Sequence, residues 1–285
     1  KEQIVNPQTL ARKISDRHFG VGADGMILIC PSDMADCRME MYNADGSRGK
    51  MCGNGVRCVA KYLYDYKKIR KEEIAVETDS GIHTVRILED SGKATVAMGT
   101  PVIEEEPYVI SMEGQKTEMM IVSMGNPHAV IFMEPEEGSW KTWNMKKAEA
   151  VSTHSDFPDG INVELVQVYS ETGMKIRVWE RGSKETLSCG SGACAAAAAA
   201  IRSGRTKQKV NIEMPGGMME VEWDSDGQMY LTGGCRFVCE GPVPLPPGCL
   251  QHAAQSPGLP AGPPGKAAPG SHKGEGHRHA EKNVH

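Results

Sequence analysis

Apolar and polar residues alternate along three short segments in the first half of the chain, at 74–78, 82–88 and 94–98. Ser80-Gly81 and Ser91-Gly92 separate these segments, and such pairs favour turns between strands. The same alternation recurs later, at residues 121–124, 129–133, 161–169, 174–180, 210–214, 218–223 and 228–232. The pattern predicts a protein built mainly from β-strands.

Two segments have helical spacing instead. In the first, apolar residues recur every three to four positions, as on one buried face of a helix: Val56, Val59, Ala60 and Leu63. The second is an alanine run that begins at Ala193 and ends near Gly204, where glycine is a common helix stop. Many strands with few helices favour an α+β fold.

Both predicted helices are entered through the same motif. Residues 52–55 read CGNG and residues 189–192 read CGSG. A polar residue at the end of a strand stands nine positions before each cysteine: Asn43 and Glu180. The two cysteines are 137 residues apart, which is a typical domain length. We therefore predict two pseudo-symmetric domains, each a mixed sheet around a central helix, with the active site in the cleft between them.

Composition and length divide the chain into three parts. We expect a first domain at residues 1–110, a second at 111–241 and a tail at 242–285. The tail is rich in proline and glycine and contains no Phe, Tyr or Trp. Such a segment cannot bury enough apolar surface to offset its ordering entropy, so we expect it to be disordered. Function should therefore reside in residues 1–241.

Charge and hydropathy exclude several classes of protein. The chain has 32 basic and 37 acidic residues, a net charge of −5, so no nucleic-acid partner is expected. The longest apolar run, 193–201, is too short for a membrane span, and the first residues do not form a secretory signal. Nine cysteines are too sparse for a disulfide scaffold. We expect a cytoplasmic protein with free thiols.

Cys52 and Cys189 stand where a thiol is readily made reactive. A helix N-terminus carries unpaired N–H groups and the positive end of the helix dipole, which bind anions and lower a cysteine pKa. One cysteine, as thiolate, can remove a proton from one face of a carbon while the other, as thiol, delivers one to the opposite face. The helix N–H groups can meanwhile hold a substrate carboxylate. This arrangement predicts a racemase or epimerase that needs neither cofactor nor metal.

The remaining cysteines fit packing roles better than chemical ones. We expect six of them to be small buried residues: Cys30, Cys37, Cys58, Cys194, Cys235 and Cys239. Zinc prefers a tight Cys-x2-Cys pair, which these spacings do not provide. Neither glycine motif has the lysine ending of a P-loop or the glycine set of a dinucleotide-binding turn.

Six sequence blocks surround the two cysteines in a fixed order over about residues 10–241. They are DRHFGVGADG at 16–25, YNADGS at 42–47, MCGNG at 51–55, SMGNPH at 123–128, GINV at 160–163, and VWERG through ET to CGSGAC at 178–194. In these blocks the chain closely resembles the diaminopimelate epimerase family. The resemblance implies an isomerase that interconverts LL- and meso-diaminopimelate without pyridoxal phosphate, in lysine and peptidoglycan-precursor biosynthesis. Enzymes of this fold are often homodimers.

The resemblance also implies a role for each residue of the site. Cys52 and Cys189 correspond to the two acid/base thiols, with Cys189 the base for the LL substrate. His128 and Glu180 correspond to residues that tune the thiols. The implied substrate-binding residues are Asn43, Gly53, Asn54, Asn126, Asn162, Glu180, Arg181, Gly190 and Ser191. A guanidinium suits a carboxylate through paired donors, and an asparagine amide both donates and accepts.

Three alternatives remain open at this point. The same fold with a different substrate would be a proline or hydroxyproline racemase. The family opens with a strand and a Gly-Asn-Asp-Phe motif that this sequence does not contain, so an inactive, truncated homologue is the second alternative. A thiol redox or metal protein is the third.

Overall fold

The computed structural model describes residues 2–67, 69–112, 114–134, 139–245 and 248–252. These residues form four α-helices: α1 (Pro7–Ser15), α2 (Gly53–Tyr66), α3 (Lys146–Ser152) and α4 (Gly190–Arg202). No helix in this part of the chain is both long and apolar enough to cross a membrane.

Eighteen strands run through the same described residues. In chain order they are β1 (Glu2–Ile4), β2 (Gly25–Cys30), β3 (Cys37–Asn43), β4 (Arg48–Gly49), β5 (Glu73–Thr78), β6 (Gly81–Leu88), β7 (Lys93–Gly99), β8 (Val102–Ile103), β9 (Tyr108–Met112), β10 (Gln115–Ser123), β11 (Pro127–Phe132), β12 (Asn162–Ser170), β13 (Gly173–Glu180), β14 (Lys184–Thr186), β15 (Lys209–Met214), β16 (Gly217–Trp223), β17 (Met229–Gly234) and β18 (Leu250–His252). The strands and the two helices predicted from the sequence pattern are confirmed. The sequence pattern did not reveal α1, α3 or β2, and of β3 it placed only the end, at Asn43.

One large mixed sheet holds most of these strands. Its order is β2-β3-β5-β6-β7-β17-β16-β15-β13-β12-β11-β10-β8, with β4, β14 and β9 attached to β3, β13 and β10. The neighbours β3 and β5, β13 and β15, and β11 and β12 are parallel, whereas the other pairs are antiparallel. A mixed sheet with few helices confirms the α+β class.

The chain repeats its structure at the interval of the repeated motif. In each half a strand, a short strand, a helix and a parallel strand follow one another: β3-β4-α2-β5 and β13-β14-α4-β15. Antiparallel pairing of β7 with β17 joins the halves, and there Thr95 Oγ1 lies 2.7 Å from Thr232 Oγ1, 137 positions further on. Adding 137 to the residue numbers of α2 gives 190–203, and α4 covers 190–202.

The boundary predicted between residues 110 and 111 falls inside β9. Both β8 and β9 pair with β10, so they belong with the second half of the sheet. The first half of the sheet therefore ends at Gly99 with β7, and the second half begins at Val102 with β8.

A single apolar core contains both central helices. The alanines of α4 from Ala193 to Ala200 are fully buried, as is Cys194 among them. A helix that is apolar on every side is enclosed on every side, and α4 contacts strands of the second half, β10 to β13 and β16 to β17, as well as α2 from the first half. Small side chains allow this because the neighbouring backbones can approach α4 closely. A separate small cluster joins Leu10, Met26 and Tyr42 to Cys249.

The expectation of disorder does not hold for the whole tail. Strand β18 pairs antiparallel with β1, and Cys249, immediately before β18, is 2% exposed. The segment 248–252 thus contributes to the packing of α1. The tail residues 246–247 and 253–285 lie outside the described residues, so the expectation of disorder stays a prediction there.

The expectation that six cysteines are buried is only partly correct. Cys37 and Cys194 are buried, but Cys58 and Cys239 are exposed, and Cys30 and Cys235 are half-buried. Cys58 is exposed because it lies on the side of α2 away from the buried positions 56, 59, 60 and 63.

We expect alkaline pH to destabilise the protein through its buried thiols. Burial raises the pKa of Cys194 from 9.0 to about 12. The folded state therefore keeps a proton that the unfolded state loses above pH 9, and the free energy of unfolding falls as pH rises from about 9 to 12. In denaturant titrations across this range, Cys194→Ala should reduce the slope by up to about 1.4 kcal/mol per pH unit. The exposed control Cys239→Ala should leave the slope unchanged, and equal slopes in all three proteins would contradict the assignment.

Candidate active site

Each motif cysteine is the N-cap of its helix. Cys52 Sγ accepts a hydrogen bond from the Gly55 N–H at 3.4 Å, and Cys189 Sγ accepts one from the Gly192 N–H at 3.3 Å. Both cysteines have extended backbone angles, so each thiol reaches back over the first turn. The sulfur atoms therefore occupy the position where an N-cap oxygen usually satisfies an unpaired N–H.

The two helix starts touch each other. Asn54 Nδ2 donates to Ser188 Oγ at 3.2 Å, which links α2 to the residue before Cys189. A β-carbon placed on Gly190 would lie 3.7 Å from the Cα of Gly53, so these two backbones meet without intervening side chains. The positive ends of two helix dipoles and their free N–H groups thus converge on one region, which suits a carboxylate.

The surroundings of both thiols favour the protonated, neutral form. Burial raises the pKa of Cys52, and the Glu180 carboxylate raises it further, whereas the Gly55 and Asn54 N–H groups lower it. Burial raises the pKa of Cys189 well above 9.0, again with a further contribution from Glu180. The helix starts thus lower both pKa values as predicted, but burial outweighs them, so the expectation of a net lowered thiol pKa is wrong here.

Asn43 and Glu180 end equivalent strands, β3 and β13. Glu180 Oε1 accepts a hydrogen bond from Thr186 Oγ1 at 2.5 Å, which fixes the carboxylate that acts on both thiols. Asn43 Nδ2 donates to Ser47 Oγ at 2.9 Å within the turn that follows β3. The pseudo-symmetry therefore places an amide at one strand end and a carboxylate at the other.

His128 and Glu164 are fully buried beneath the start of α4 and form a network with the half-buried Asn126. Its Nδ1 lies 2.7 Å from Glu164 Oε1, and its Nε2 lies 3.1 Å from Asn126 Oδ1. An amide oxygen only accepts, so Nε2 donates to Asn126, and one proton is shared between Nδ1 and the carboxyl group. This bond fixes Asn126 with its Nδ2 group left as a donor. Burial raises the pKa of Glu164, which is also one of the groups that raise the pKa of Cys189.

Asn162 is held by backbone partners on both sides of its amide. Its Nδ2 donates to Pro127 O at 3.0 Å, and its Oδ1 accepts from the Arg181 N–H at 2.9 Å. Arg181 itself is exposed and uses Nη1 to donate to Asp159 O at 3.2 Å. Asn162 therefore positions the backbone of Arg181, whose remaining guanidinium donors suit a carboxylate.

Sequence reasoning missed two charged residues of this region. Arg57 is 3% exposed and donates to Asn54 Oδ1 at 2.8 Å, so it orients the side chain that joins the two helix starts. Glu164 is completely buried in the middle of β12. The sequence pattern gave no signal for either, because Glu164 occupies a polar position of an alternating strand and Arg57 lies beside the apolar face of its helix.

The fold is shared with solved structures of low sequence identity. A probable proline racemase from Agrobacterium radiobacter superposes with a TM-score of 0.63 at 15% identity, over 87% of this chain and 82% of that one. A phenazine biosynthesis protein from Bacillus anthracis gives a TM-score of 0.62 at 16% identity, over 80% and 84%. The chain therefore shares its fold with these two proteins.

Sequence comparison identifies the family of this chain. The family model for diaminopimelate epimerase matches residues 1–104 and 120–238. The diaminopimelate epimerase of Desulfovibrio desulfuricans is 44% identical over 85% of this chain and 91% of its own length. The chain belongs to the diaminopimelate epimerase family, which places it among the isomerases and confirms the family expected from the sequence blocks.

Proposed function

We propose that this protein interconverts LL- and meso-diaminopimelate by proton transfer at Cα between Cys52 and Cys189. One observation supports this above all: two motif cysteines cap pseudo-equivalent helices whose starts are in contact. Homologues of this chain are diaminopimelate epimerases. The product meso-diaminopimelate would serve lysine and peptidoglycan-precursor synthesis.

The reaction needs one thiolate and one thiol on opposite faces of the carbon. In the LL-to-meso direction the Cys189 thiolate removes the α-proton and becomes a thiol. The Cys52 thiol then delivers its proton to the opposite face and becomes the thiolate. The charge of the site is unchanged, and the two cysteines have exchanged roles, so the same pair serves the reverse reaction. No pyridoxal phosphate is required by this scheme.

Substrate binding supplies the condition under which a buried thiol ionises. The Glu180 carboxylate raises the pKa of both thiols in the unliganded site. A substrate α-ammonium group beside Glu180 would neutralise that effect, because an opposite charge close by offsets the carboxylate. The α-carboxylate would bind the N–H groups of Gly53, Asn54, Gly190 and Ser191 at the two helix starts, where the growing negative charge of the carbanion is also stabilised.

The far end of diaminopimelate distinguishes it from smaller amino acids. Arg181 would pair with the distal carboxylate through two guanidinium donors. The amides of Asn43, Asn126 and Asn162 would serve the distal amino group, with Asn162 acting chiefly through the position it gives to Arg181. A proline ring has no second charged end and would leave these groups unpaired.

The test is deuterium exchange with a panel of substrates. The full chain is incubated under reducing conditions in D2O with LL-diaminopimelate, L-proline or trans-4-hydroxy-L-proline. We expect deuterium at Cα and formation of the meso isomer with diaminopimelate alone. Exchange with proline or hydroxyproline instead would favour the related racemases, and folded protein without any exchange would favour an inactive homologue.

A further inference from the structure

A second pair of cysteines lies apart from Cys52 and Cys189. Cys58 is exposed on the outer side of α2, and Cys235 directly follows β17, where its N–H donates to Gly92 O at 3.3 Å. The two cysteines line the same cavity, and each thiol shifts the pKa of the other. Helix α2 in the first half of the chain and the end of β17 in the second half therefore bring together two cysteines that are far apart in sequence.

Two cationic residues of α2, Arg57 and Lys61, lie near this pair of thiols, and the two thiols differ in pKa. The Cys58 thiol lowers the pKa of Cys235, and the nearby charges of Arg57 and Lys61 lower it further. The Cys235 thiol in turn raises the pKa of Cys58. Arg57 is buried, and its Nε has no hydrogen-bond partner in the described structure. The arrangement favours a thiolate on Cys235 and a neutral thiol on Cys58.

A cavity of about 470 Å³ is lined by both cysteines. Its charged groups are Lys61, Asp65 and Arg236, with Lys61 ion-paired to Asp65, and its aromatic wall is formed by Tyr62, Tyr66 and Phe237. The Tyr66 ring lies 5.3 Å from Tyr62 and 5.1 Å from Phe237, so the wall is continuous. The size is that of a small-molecule site, and Arg236 supplies a cation for a ligand that carries a carboxylate.

We propose that Cys58 and Cys235 form a second reactive thiol site that takes small disulfides bearing carboxylate groups. The Cys235 thiolate attacks one sulfur of the disulfide, forming a mixed disulfide and releasing one small thiolate. Cys58 then loses its proton and attacks Cys235 Sγ, forming the Cys58–Cys235 disulfide and releasing the second small thiolate. The two protein thiols are oxidised, and one small disulfide is reduced to two thiols. This site is independent of the function proposed for Cys52 and Cys189.

The experiment maps the reaction of the reduced full chain with oxidised glutathione at pH 7. Samples are quenched with acid at intervals and alkylated, and the cysteine peptides are identified by mass spectrometry. Cys239, exposed four residues beyond Cys235, is the control thiol. We expect the Cys58–Cys235 disulfide to form at least about tenfold faster than Cys239 acquires glutathione, because the thiolate is the attacking species.

Two variants separate the steps of the proposal. Cys58→Ser should accumulate a glutathione adduct on Cys235, since the resolving thiol is gone. Cys235→Ser should leave Cys58 reacting no faster than Cys239. Circular dichroism checks that both variants are folded. Reaction of Cys235 at the rate of Cys239, or a first adduct on Cys58, would overturn the proposal.

Discussion

Replacing either Cys52 or Cys189 with alanine is expected to lower the rate of LL-to-meso conversion by about 10²–10⁴-fold, the usual contribution of a positioned acid or base. Either loss interrupts the transfer, because inversion requires proton removal on one face and delivery on the other. The rate is measured by chiral separation of the diaminopimelate isomers. Both cysteines make a single N-cap hydrogen bond to the backbone, so alanine in their place should leave the fold intact.

The two variants should differ in the exchange that remains. Cys52→Ala keeps the base for the LL substrate, so in D2O it should exchange the α-proton of LL-diaminopimelate slowly and without inversion. Cys189→Ala should instead exchange at the opposite configuration, that is, with the meso isomer. The buried control Cys194→Ala should retain conversion near the parent rate. Identical exchange patterns in both cysteine variants would disprove the assignment of faces.

Gly192→Ala is expected to damage both stability and catalysis. A β-carbon at this position would lie 2.6 Å from Glu164 Oε1 and 3.3 Å from Cys189 Sγ. Glu164 cannot move aside freely, because it is completely buried and bonded to His128. We expect a loss of stability of about 1–3 kcal/mol, as for other overpacked cores. Displacement of the thiol by about 1 Å should also lower kcat/KM by about 10²-fold.

The pseudo-symmetry of the chain supplies a matched control. Gly55 occupies the equivalent position in α2, but its added β-carbon would meet Ile27 Cδ1, the end of a flexible side chain, at 2.7 Å. Gly55→Ala should therefore cost less stability than Gly192→Ala, both measured by urea unfolding. Alanine is also the better helix former, by about 1 kcal/mol. A Gly192→Ala protein as stable as Gly55→Ala would show that Glu164 is not fixed in the way described.

The sequence was sufficient for the elements and their class because these depend on local periodicity. Alternation identified the strands around residues 74–98 and 210–232, and the repeated motif identified both helix starts. The short helix α1 carries fewer apolar positions and escaped notice. Pairing of β7 with β17 and of β1 with β18 depends on contacts between distant residues, and no local pattern encodes it.

The site was predictable in its residues but not in its electrostatics. The motif placed Cys52 and Cys189 correctly at their helix starts, where the helix dipole alone would lower their pKa values. Whether burial or the dipole prevails depends on packing, and here burial does. The partner of Glu164 likewise comes from another element, because Glu164 lies in β12 and His128 in β11, and no local pattern in the sequence reveals that contact.

The joint between β7 and β17 also governs the order in which the molecule can be assembled. Thr95 cannot form its contact with Thr232 until the ribosome has synthesised Thr232, 137 residues later. At about 5–20 residues per second this delay is roughly 7–27 s. Throughout it, the first half exposes an unpaired strand edge, the feature that templates association between chains. Nascent protein should therefore be far more prone to aggregate than the finished molecule, and slower synthesis should aggravate the tendency.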